Sequence, residues 1–75
     1  MTKPSEEEVY EALRVIVHNR DHKSLNWCVN YARAGLEMTG EELRVQCLYV
    51  IGNMTHWTGA DAKEVRRTLK AFIGG

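Results

Sequence analysis

After Pro4 the chain has no proline, and its apolar residues return at intervals of three and four down to the C-terminus. Proline would fix φ and remove a backbone donor, so without it helices run until glycine or a capping signal stops them. A strand would need apolar alternation with period two, and none persists. The chain is therefore expected to be all-α: a compact bundle of four short helices, at about 5–19, 22–37, 40–54 and 59–73, in a single domain over residues 1–75. A chain of 75 residues has room for one domain, and a core of that size is marginal.

The helix starts are written in the sequence. Ser5 and Glu8 in "SEEE" have the spacing of a capping box, and three glutamates suit the positive end of the first helix. Val9, Leu13, Ile16 and Val17 then form an apolar stripe. Asp21 or Ser24 can cap the second helix, and Gly35 suits its C-terminal turn. "ARAG" places small residues where another helix can come close. Thr39 and Glu42 repeat the capping-box spacing, with Met38 and Leu43 placed as a hydrophobic staple. "TGAD" at Thr58 repeats "TGEE", with Trp57 in the place of Met38 and Ala62, Val65, Leu69 and Phe72 as the buried stripe.

The third helix is unusual because "LRVQCLYVIG" is apolar nearly all round. A helix apolar on every side needs cover on every side. Three short neighbours can hardly supply it, so the third helix is expected at the centre of the bundle. A homo-oligomer, most simply a dimer, is expected to bury the remainder. Trp27, Tyr31, Leu48 and Tyr49 are the candidate interface residues, aromatics being enriched among interface anchors.

Composition narrows the function classes. Ten basic residues balance ten acidic ones, which argues against a non-specific nucleic-acid binder. Cys28 and Cys47 match no zinc or redox spacing and are expected as buried free thiols. The charged N-terminus has no apolar core of a signal peptide, and no run reaches the roughly 18 residues of a membrane span. A cytoplasmic protein with no membrane partner is the default expectation.

No catalytic constellation emerges. His18 and His22 are four apart, but Asn19, Arg20 and Asp21 interrupt the helix and no third ligand follows, so no metal is expected. No nucleophile motif or activated thiol is present, and a non-enzyme without cofactor is expected. The alternative is a nucleic-acid or small anionic nucleotide binder. Lys63, Arg66, Arg67 and Lys70 share one face of the last helix, and His56 or Trp57 could stack on a base at the His56–Thr58 junction. Asp61 already places a carboxylate at that helix's positive end. The third helix is too apolar to read a groove, so helices two and three do not make a helix-turn-helix.

The stretch "ELRVQCLYVIGNMTHWTGADAKEVRRTLKAF", with "VQCLYV" and "NMTHW" in it, resembles small helical proteins encoded in bacteriophages and prophages. The resemblance implies a regulatory, virion-associated or host-interfering protein that acts by binding. It carries no functional residue with it.

Overall fold

The computed structural model describes residues 3–74. Four α-helices follow one another: α1 at Glu6–His18, α2 at Asn26–Gly35, α3 at Gly40–Gly52 and α4 at Ala60–Gly74. A short 3-10 turn, Lys23–Leu25, leads into α2, so the second helix starts later than its apolar pattern suggests. The third ends at Gly52, and Met54 lies beyond it, fully buried.

Each helix buries one stripe. Val9, Ala12, Leu13 and Ile16 come from α1, and Ala62, Val65, Leu69 and Phe72 from α4. Cys28, Val29, Ala32 and Gly35 come from α2, and Leu43, Gln46, Cys47 and Val50 from α3. Spacings of three and four keep each set on one face of its helix. Together with Leu25, Met54 and Trp57 they form a single core.

The helices close a ring in which α1 packs on α2 and α4, and α3 packs on α2 and α4. The all-α bundle is as the sequence indicates, but the third helix is not central. Like the others it packs mainly on two neighbours, which leaves an outer face. Leu48 and Tyr49 on that face are 48% and 54% exposed.

Caps and close approaches set the ring. Ser5 and Glu8 form the expected box at α1: the Glu8 amide donates to the Ser5 hydroxyl at 3.2 Å and the Ser5 amide to the Glu8 carboxylate at 3.3 Å. The second box does not form, because Thr39 makes no side-chain cap. Gly40 takes a left-handed φ of 57°, and its amide donates to the Glu6 carboxylate at 2.6 Å. A carboxylate from the start of α1 thus serves the positive end of α3. Gly35 lets α1 and α2 meet closely, since a Cβ there would sit 2.9 Å from the Leu13 Cδ1. The buried Gln46 side-chain amide donates to the Tyr31 carbonyl at 2.9 Å and so finds a partner within the α2–α3 seam.

Candidate functional site

Among the described residues the large exposed apolar side chains gather on one side of the ring. They are Trp27 at 71% exposure, Tyr31, Val45, Leu48 and Tyr49, all on α2 or α3. Their spacing explains the position. On α2 the outward residues Trp27, Asn30, Tyr31 and Ala34 run beside the buried stripe. On α3 the outward residues Val45, Leu48, Tyr49 and Gly52 repeat the buried spacing, displaced by two residues. That second stripe is why α3 reads as apolar all round. Val45 and Gly52 escape a reading of the sequence for aromatic anchors, although the displaced spacing marks them.

The two stripes form one surface. The α2–α3 pair is antiparallel: the Cys28 thiol donates to the Val50 carbonyl at 3.4 Å, and Gly35 lies against Leu43. In the same register the rings of Tyr31 and Tyr49 stack, with centroids 5.8 Å apart and planes 22° from parallel. Trp27 and Gly52 share a depression of ≈ 310 Å³ at one end of the surface, bordered by Lys23, Asn53 and His56. From Ser24 to Ala32 and from Val45 to Ala60 the chain has no Asp, Glu, Lys or Arg.

The basic face of α4 is built differently. Lys63, Arg66, Arg67 and Lys70 do lie side by side over a shallow depression. Arg66, however, folds back, and its guanidinium donates to the Met54 and Trp57 carbonyls at 3.1 Å each. It ties off the α3–α4 junction. Arg67 pairs with Glu64, which holds the Glu64 carboxyl below its usual range through the hydrogen bond first and the charge second. Lys63 and Lys70 are the members of the row that remain directed to solvent.

The His56–Thr58 junction divides. Trp57 is 3% exposed and belongs to the core, so its ring face is closed to a base. His56 is exposed and borders the Trp27 depression. The N-terminus of α4, with Thr58, Gly59 and Asp61, opens onto a separate depression beside Asn19 and His22. His56 and the first amides of α4 thus border two different depressions. Asn53 has a structural role, since its side-chain amide donates to the Tyr49 carbonyl at 2.8 Å and closes the end of α3.

The remaining chemistry is quiet. Cys28 and Cys47 are wholly buried free thiols, each pushed up to about 11 by burial. Such thiols stay protonated and unreactive at neutral pH. A cleft of ≈ 250 Å³ between α1 and α4 is lined by Glu8, Glu11, Asp61 and Glu64 over an apolar floor. Among the described residues no group of three His, Cys, Asp or Glu side chains is placed to hold a metal ion. No described helix is long and apolar enough to cross a membrane. No known protein family, curated protein or solved structure matches this chain.

Proposed function

We propose that this chain is a small non-catalytic interaction module that associates with itself through the outer face of α2 and α3. The supporting observation is the exposed apolar group Trp27, Tyr31, Val45, Leu48 and Tyr49, carried by two segments, Ser24–Ala32 and Val45–Ala60, that have no Asp, Glu, Lys or Arg. A compact monomer of 8.6 kDa exposes about 4,700 Å², and this chain exposes 4902 Å². The amount of surface is thus ordinary, and its distribution is not. Contiguous exposed apolar patches on small soluble chains mark contact sites. A binding role in the cytoplasm also suits two reduced, buried thiols and the likeness to phage-encoded proteins.

Light scattering on a size-exclusion column tests the proposal. A mass near twice 8.6 kDa that persists from low to moderate salt is expected, because apolar contacts are not screened. A mass of 8.6 kDa at every concentration would sink it. The second reading, a nucleic-acid or nucleotide binder, draws on the side-by-side placement of Lys63, Arg66, Arg67 and Lys70. It predicts an affinity that falls steeply with salt and with Lys70→Glu. Two of its four cations are already engaged within the chain, which favours the first reading.

A further inference from the structure

We propose that Tyr31 and Tyr49 form a site of oxidative modification, at which a one-electron oxidant joins the two phenol rings into a dityrosine bridge between α2 and α3. The bridge lies within a single chain, so it does not depend on self-association. The two rings stack on the outer face, with centroids 5.8 Å apart and planes 22° from parallel. That separation falls inside the range of roughly 4.5–7 Å for paired aromatic rings. At 36% and 54% exposure, both rings are open to an oxidant in solution.

The backbone holds the pair in place while the rings stay free to turn. The Gln46 side-chain amide donates to the Tyr31 carbonyl at 2.9 Å, and the Asn53 side-chain amide donates to the Tyr49 carbonyl at 2.8 Å. Rotation about the side-chain torsions then suffices to bring one ring edge against the other. Tyr10 is placed differently: it is half-buried on α1, and its hydroxyl donates to the Met38 carbonyl at 2.5 Å. The sulfur groups that compete for an oxidant are largely withdrawn, since Cys28, Cys47 and Met54 are fully buried. Trp27, four residues before Tyr31 and one helical turn away, is the other exposed oxidisable ring. An indolyl radical is a stronger oxidant than a phenoxyl radical, so oxidation that starts at Trp27 passes on to the tyrosines.

A peroxidase supplied with hydrogen peroxide is an oxidant of the required class. Each phenol gives up one electron and its hydroxyl proton and becomes a phenoxyl radical. The two radicals form one carbon–carbon bond between ring carbons ortho to the oxygens. The hydrogen on each of those carbons then moves to oxygen, which restores both phenols. The two electrons and two protons released reduce one hydrogen peroxide to two waters. A ring tethered in the same chain acts at an effective concentration on the order of millimolar or more. That is far above the concentration of a dilute chain, so coupling within the chain outruns coupling between chains.

The test treats the dilute full chain with a peroxidase and limiting hydrogen peroxide, then digests it with trypsin for mass spectrometry. Ser24–Arg33 joined to Val45–Lys63, two hydrogens lighter than their sum, is the expected product. Before digestion it should run as one chain on a denaturing gel, and its dityrosine fluorescence per chain should not change on dilution. Tyr31→Phe and Tyr49→Phe should each abolish that fluorescence, and Tyr10→Phe should keep it. In urea the selectivity should disappear, with Tyr10 entering the products. A folded chain that couples Tyr10 as readily as its other tyrosines, or that forms no dityrosine, overturns the proposal. Dityrosine found only between chains overturns it too, while leaving self-association standing. An internal bridge in a chain that light scattering shows to be monomeric would sink self-association and leave this site in place.

Discussion

α1 and α4 turn Glu7, Glu8, Glu11, Arg14, Lys63, Glu64, Arg67 and Lys70 toward solvent, whereas α2 and α3 turn out Trp27, Tyr31, Val45, Leu48 and Tyr49. Inward, the two halves are alike, since each of the four helices contributes one stripe to a common core. Burial therefore does not separate them. A helix packed mainly on two neighbours still has a free outer face, and what occupies that face is not fixed by the fold. On α1 and α4 it carries charges that water solvates well. On α2 and α3 it carries apolar area that water disfavours at about 25 cal/mol per Å². The difference marks the outer face of α2 and α3 as the one whose exposure to water costs most.

The two tryptophans provide the strongest test of this contrast. Trp57 is 3% exposed and Trp27 is 71% exposed. Trp57→Ala should cost ~3–5 kcal/mol, a large part of the stability of any small domain. Urea denaturation of the diluted chain should then show little folded baseline. Trp27→Ala should shift the same monomer curve by ~0.5 kcal/mol or less, while abolishing association. Equal effects of the two variants on the monomer would erase the distinction between core and contact surface.

That pair also shows what the sequence could and could not disclose. Trp57 and Trp27 both sit near a helix start and look alike as residue types. The staple position of Trp57, ahead of Thr58 and opposite Ala62, points inward, while its place at the His56–Thr58 junction offers the same ring for stacking on a base; the core takes it. The apolar periodicity of α1 and α4 was plain because their outer faces are charged, so one stripe stands out. α3 carries two stripes displaced by two residues, and periodicity alone cannot say which one is buried. The pattern therefore suggested a central helix where the chain has an outer one. Thr39 and Glu42 have the spacing of a capping box, but Thr39 makes no side-chain cap, and the neighbouring Gly40 amide is met by Glu6 from another helix. Local spacing does not contain that long-range contact.

Arg66 and Arg67 divide the charged half in a smaller way. They are adjacent in sequence, yet Arg66 is half-buried against the Met54 and Trp57 carbonyls and Arg67 lies on the surface with Glu64. Charged hydrogen bonds contribute more than neutral ones but lose strength where solvent reaches them. Arg66→Ala should cost ~1–2 kcal/mol in chemical denaturation. Arg66→Lys should restore only part of this, because one ammonium does not match the planar fork. Arg67→Ala should leave the denaturation midpoint where it was. If Arg66→Ala were equally silent, Arg66 would rejoin the solvent-facing basic row and the nucleic-acid reading would gain a cation.

The smallest effect expected separates the halves by pH and salt. Glu64 has a folded-state pKa lowered from the usual 4.5 by its hydrogen bond to Arg67 and by that residue's charge. A depressed carboxylate stabilises the fold above its unfolded-state pKa and loses that contribution as pH falls through the folded value. The pair is fully exposed, so the contribution is slight and salt screens it further. Thermal midpoints of the diluted chain should therefore decline a little more steeply below the usual 4.5 in wild type than in Glu64→Gln. Added salt should reduce that difference. The α2–α3 contact should not follow this pattern, because no carboxylate lies in Ser24–Ala32 or Val45–Ala60. A dimer dissociation constant that tracked the Glu64 titration would mean that α4 takes part in association. The charged half could then no longer be regarded as merely solvated.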